Sequence, residues 1–78
     1  MSARTFVLGR EDKDAASADL HRLAAVIRRS GMASRYGVSV HRVPGSSSWG
    51  VYLTDRTPEL GPPDEWARGV VLAFGVAA

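Results

Sequence analysis

Cysteine is missing from these 78 residues, which excludes a disulfide framework and a thiolate metal site. Secreted domains this small often depend on such staples, so the cytoplasm is the expected compartment. The only histidines, His21 and His41, lack metal-ligand spacing, and neither a metal nor a cofactor is expected. Long apolar runs are missing too. Met1–Phe6 has no signal-peptide core. The longest apolar run, Val70–Ala78, is too short to span a bilayer and is interrupted by Gly75, so no membrane role is expected. No internal repeat is visible.

Acid is missing from one stretch. Residues 20–54 contain Arg22, Arg28, Arg29, Arg35 and Arg42 and not one Asp or Glu, a charge of +5. The flanking segments carry −1 (residues 1–19) and −2 (residues 55–78). Such an asymmetry would suit an anionic partner. The simpler account, and the preferred one, is that two of these arginines serve a helix C-terminus and the rest are solvated.

What is present is a 45% hydrophobic chain, enough for a folded domain and against disorder. At this length one domain, 1–78, is expected. Its organising element is Asp12–Gly31. Ala16, Leu20, Leu23 and Ile27 fall on one stripe of a helix, widened by Ala24 and Val26. Acids at its start and Arg28–Arg29 at its end complement the helix dipole. Asp12 or Asp14 would be the N-cap. Gly31 suits the left-handed position past a Ser30 C-cap, with Met32 closing a Schellman motif on Ile27. His21, Arg22, Ala25, Arg28 and Arg29 would face water.

The remaining pieces alternate like strands. In Arg4–Gly9, Phe6 and Leu8 would point one way, Thr5 and Val7 the other. Tyr36–Val43 and Trp49–Asp55 flank Pro44-Gly45-Ser46-Ser47, where Gly45-Ser46 fits a two-residue type II′ turn. That turn pairs Val40 with Val51, Val38 with Leu53 and Arg42 with Trp49, where Arg42 would stack on the indole. Pro44 would cost one ladder hydrogen bond. Residues 56–63 are loop, and Pro63-Asp64-Glu65-Trp66 resembles a first helical turn. Gly69–Ala78 fits a helix or a strand. Its valines and large/small alternation favour a strand after a short turn at 63–68.

The expected fold is α+β: β-α-β-β-(short helical turn)-β, with about four strands and one long amphipathic helix (about 12–30) on one face. That helix would cover Phe6, Leu8, Tyr36, Val38, Val40, Val51, Leu53, Leu72 and Phe74. The other face would be open, carrying Val7, Ser39, His41, Tyr52, Thr54, Val71 and Ala73, with Arg35 and Arg56 at one end.

No stretch meets the requirements of an active site. His41, Ser46–Ser48 and Asp55 supply the residue types of a hydrolase triad without a nucleophile elbow; a serine-rich hairpin tip accounts for them. Gly45–Gly50 lacks the lysine and helix of a phosphate loop. Glu59, Asp64 and Glu65 fit solvated surface in or beside a proline-rich loop. A non-enzymatic interaction or accessory protein is therefore expected. It would bind a partner protein or a second copy of itself through Ser39, His41, Tyr52, Thr54 and Val71. The alternative is nucleic-acid binding, with Arg22, Arg28, Arg29, Arg35 and Arg42 on phosphates and Tyr52 stacking a base.

Overall fold

A computed structural model of the chain describes residues 3–60 and 65–77. The order is β1 (Ala3–Arg10), α1 (Lys13–Arg29), β2 (Tyr36–Arg42), β3 (Trp49–Asp55), a 3-10 turn (Pro58–Leu60) and α2 (Glu65–Ala77). The three strands form one sheet in the order β1-β3-β2. β3 runs antiparallel to both neighbours, so β1 and β2 are parallel to each other and α1 connects them across the sheet.

The ends of α1 follow from their chemistry. Asp12 is the N-cap: its backbone is extended and its carboxylate accepts from the Asp14 N–H. At the other end Gly31 takes a φ of 73°, a region a Cβ disfavours. Gly31 N–H donates to Arg28 C=O and Met32 N–H to Ile27 C=O, the paired bonds of a Schellman motif. Ala16, Leu23 and Ile27 are buried, while His21, Arg22, Arg28 and Arg29 face solvent.

The β2–β3 hairpin has the register that the apolar alternation requires: Val40 opposite Val51, Val38 opposite Leu53, Arg42 opposite Trp49. Its turn differs from the expected one. Ser46 N–H donates to Val43 C=O, which places Pro44-Gly45 at the centre, with Gly45 at a φ of 74°. Proline followed by a positive-φ glycine is the type II pattern. A second bond, from Val43 N–H to Ser48 C=O, closes a four-residue loop in the same register. Pro44 therefore sits where no ladder donor is needed.

Two expectations about faces fail. In β1 the register slips between Phe6 and Leu8, a bulge that leaves Val7 without a partner on β3. Val7 and Leu8 are then both buried, while Phe6 turns to the other side and is 49% exposed. A strict two-residue alternation cannot anticipate this.

The second failure is the C-terminal segment. Residues 65–77 form a 13-residue helix, so the fourth strand and the single-helix arrangement do not stand. The start of the expected turn, Pro63–Asp64, lies outside the described residues. Ala67 and Val70 are buried, with Trp66, Val71 and Phe74 packed against the same core. Positions 67, 70, 71 and 74 make one helical stripe, which leaves Leu72 67% exposed rather than covered. The physical reason is coverage. α1 packs mainly on β2 and β3, and α2 supplies the apolar face that β1 still needs.

Both helices pack on one face of the sheet. Thr5, Leu53 and Val38 form one row across that face, and Leu8, Val51 and Val40 the next. Leu23, Tyr36 and Val51 are the largest fully buried side chains there. No helix among the described residues is long and apolar enough to cross a membrane.

A candidate binding face on the open sheet

On the opposite face the strand registers lay out three rows of residues. The first is Arg4–Thr54–Gly37, the second Phe6–Tyr52–Ser39, the third Gly9–Gly50–His41. None of the nine residues in these rows is acidic. Asp55, next to Thr54 in the chain, lies on the covered side in the row with Tyr36.

Cations gather at the first row. The Arg4 guanidinium lies 5.6 Å from the centre of the Tyr52 ring. Arg56 donates to the carbonyls of Ala33 and Tyr36, and its guanidinium sits over Gly37, 2.7 Å from where a Cβ would be. Rings gather at the second. Phe6 and Tyr52 meet edge to face at 5.6 Å, and His41 reaches Tyr52 at 5.8 Å. The third row makes room for them: a Cβ on Gly50 would come within 2.9 Å of Tyr52 and 3.1 Å of Phe6. Ser39 contributes a buried hydroxyl with no hydrogen-bond partner among the described residues.

Four of the five expected partner-binding residues, Ser39, His41, Tyr52 and Thr54, therefore share this face. Val71 does not; it belongs to α2 and packs on the core, and Val7 and Ala73 leave the face as well. Alternation alone puts Phe6 with Leu8 on the covered face; the bulge separates them, and Phe6 joins Arg4 on the open one.

The five arginines of the acid-free stretch are not brought together. Arg22 pairs with Asp19, and Arg35 lies 3.2 Å from the Asp55 carboxylate. Arg42 sits 5.4 Å from the Trp49 ring, whose other cation is Lys13 at 5.1 Å. Arg28 and Arg29 are exposed at the end of α1. Arg22 and Arg29 line a groove of about 610 Å³ between α1 and α2, on the helix side of the molecule.

Two carboxylates are buried on that side. Asp19 accepts from Arg10 at 2.6 Å and also from Arg22. The Arg10 hydrogen bond is the main cause that holds its pKa below the ordinary value, against the opposing effect of burial. Asp55 accepts from Arg35 and from the Thr57 N–H at 3.0 Å, and the Arg35 hydrogen bond likewise lowers its pKa. These are structural pairs. They fix β1 and β3 to the helix and loop ends. Among the described residues no cluster of three or more His, Asp or Glu is arranged to hold a metal.

Compared with protein-family models, curated proteins and solved structures, the chain matches none.

Proposed function

We propose that the chain is a non-enzymatic binding domain that takes single-stranded nucleic acid on its open sheet face. One observation carries this reading: a row of rings lies beside two arginines, Arg4 and Arg56, in rows that hold no acidic residue. Unpaired bases stack on aromatic side chains whatever their sequence, and phosphates seek the adjoining guanidinium groups. Phe6, Tyr52 and His41 would receive bases, Arg4 and Arg56 the backbone. Duplex would be a poor ligand, because paired bases hide the faces that rings contact.

A second reading, docking of a partner protein or a second copy on the same face, is supported by its residue types. Tyrosine, serine and glycine offer contact area at little entropic cost. Salt separates the two. Labelled single-stranded and duplex RNA and DNA, followed by fluorescence anisotropy, should show single-strand preference. Two phosphate contacts imply that affinity falls roughly five- to tenfold between about 50 and 200 mM salt. No binding at low salt, together with a dimeric mass in sedimentation, would move the assignment to protein docking.

A further inference from the structure

The two edges of the sheet are finished differently. β1 is blunted: the bulge at Val7 interrupts its ladder, Arg4 and Arg10 lie along it, and α2 packs against it. Such devices keep strand edges from pairing with other chains. β2 has none of them. It pairs with β3 over seven residues without a shift, and from Gly37 to His41 it holds no proline, acid, lysine or arginine. Val43 N–H donates to Ser48 C=O and Arg56 N–H to Arg35 C=O, so the odd-numbered residues of β2 bond to β3. The even-numbered ones turn their N–H and C=O groups outward. Those of Tyr36 are taken, the N–H by Met32 C=O and the C=O by Arg56. Those of Val38, Val40 and Arg42 have no partner among the described residues. α1 leaves this edge open: a groove of about 330 Å³ lies beside it, between Ala24, Ile27 and Arg28 of the helix and Gly37 and Val38 of the strand.

From this edge we infer that β2 pairs antiparallel with β2 of a second copy, across a two-fold axis at Val40, joining two three-stranded sheets into one. The unpaired set is its own complement. Val40 meets Val40 of the second copy and Val38 meets Arg42, so every outward N–H and C=O of these residues finds a partner. The side chains agree with that register. On the covered side Val40 packs on Val40, and Val38 lies beside the aliphatic stem of Arg42. On the open side Ser39 stands opposite His41, polar against polar. No position sets a charge opposite a like charge. An unrelated extended peptide would make the same backbone bonds without this match of faces, which the strand supplies by pairing with itself. The edge belongs to neither face of the sheet, so the inference does not depend on the nucleic-acid reading.

Sedimentation equilibrium of the whole chain at millimolar concentration should give a mass approaching twice the 8.4 kDa of one copy. Amide hydrogen exchange at Val38, Val40 and Arg42 should slow as concentration rises, while Ser39 and His41, bonded to β3, exchange slowly throughout. In a mixture of labelled and unlabelled chains, a contact between the Ser39 and His41 Hα protons of different copies should appear, the mark of a non-hydrogen-bonded antiparallel pair. Val40→Pro removes an outward N–H and no bond to β3, so it should keep the fold and weaken self-association at least about tenfold. If that variant does not fold, the exchange and the Hα contact of the wild type decide alone. A monomer at millimolar concentration overturns the proposal. So does a folded Val40→Pro that associates as the wild type does, or a dimer whose Val38, Val40 and Arg42 amides exchange no more slowly. A dimer formed through the open face would instead shift Phe6 and Tyr52, and overturns it too.

Discussion

The two faces of this sheet are built from the same three strands, one residue apart, and they differ in kind. The covered face is aliphatic at its centre, with Leu53 and Val38, then Leu8, Val51 and Val40, and places Tyr36 and Trp49 at its two ends, closed by α1 and α2. The open face holds Phe6, Tyr52 and His41 around Gly9 and Gly50, with Arg4 and Arg56 at one end. Burial explains the first set, at about 25 cal/mol for each Å² of apolar surface removed from water. It does not explain the second, because a ring like Phe6 at 49% exposure is only half removed. A sheet face that merely met solvent would be served by threonine and charged residues, as Thr54 is. Rings laid over glycines need another reason, and the ligand contact proposed above would supply one.

The sharpest way to break the comparison is to truncate one side chain on each side. Leu23→Ala removes a fully buried group that seats α1 on the sheet. It should cost about 2–5 kcal/mol in urea unfolding. Phe6→Ala should cost about 1 kcal/mol, the scale of one aromatic pair. Near-equal losses would mean that the open face is part of the core, and the functional reading of its rings would fall.

Tyr52→Ala tests the same face through binding. Tyr52 touches Phe6, His41 and Arg4, so it is the centre of the platform. Single-strand affinity should fall by about 1–3 kcal/mol, roughly 5- to 150-fold in anisotropy titrations. Arg28→Ala, on α1, should leave it unchanged. Equal losses from both would point instead to a diffuse electrostatic attraction.

On the covered side the electrostatic counterpart is Asp19, which ties Arg10 of β1 to Arg22 of α1. Asp19→Asn should lower stability by about 1–2 kcal/mol, the scale of hydrogen bonds to a charged group. The pH dependence has a definite sign. Asp19 and Asp55 both have folded-state pKa values below the ordinary one. The unfolded chain therefore binds more protons in acid. The stability these two groups contribute is complete above the unfolded value of about 4 and is lost as pH falls through the folded values. Thermal melts of the wild type should drop below about pH 4, and those of Asp19→Asn should drop less. Parallel curves would show that the Asp19 pairs contribute nothing to acid stability.

The parts of this architecture legible in the sequence are those governed by local rules. Gly31 and Met32 close α1 because only certain residues terminate a helix, and Val40, Val51, Val38 and Leu53 pair because a one-residue slip would expose them all. Ser39, His41, Tyr52 and Thr54 came to the open face by the same alternation. Phe6 and Arg4 did not, because the bulge at Val7 shifts the register of β1 and a strict alternation does not foresee it. Residues 65–77 were ambiguous because Val70, Leu72 and Phe74 satisfy a period of two while Ala67, Val70, Val71 and Phe74 satisfy one of 3.6. Tertiary demand chose between them. Asp19 was invisible for a related reason: a lone acid on an apolar stripe becomes buried only when Arg10, nine residues earlier, folds back to meet it.

The finest test asks whether the glycine row matters as a surface rather than as backbone. A Cβ on Gly50 would press on the Tyr52 and Phe6 rings at 2.9 and 3.1 Å, both movable side chains, so Gly50→Ala should displace the rings without unfolding the strand. Alanine is also the better strand former, and the two effects oppose each other. Stability should change by less than about 1 kcal/mol in thermal melts. Single-strand affinity should nonetheless fall several-fold, because bases stack on rings held at one height above the sheet. Ring-proton chemical shifts of Tyr52 report the displacement directly. Moved rings with unaltered affinity would show that the platform adapts to its ligand, and would assign the glycines to packing alone. Moved rings with weakened binding would show that the open face is shaped in advance, as the covered one is.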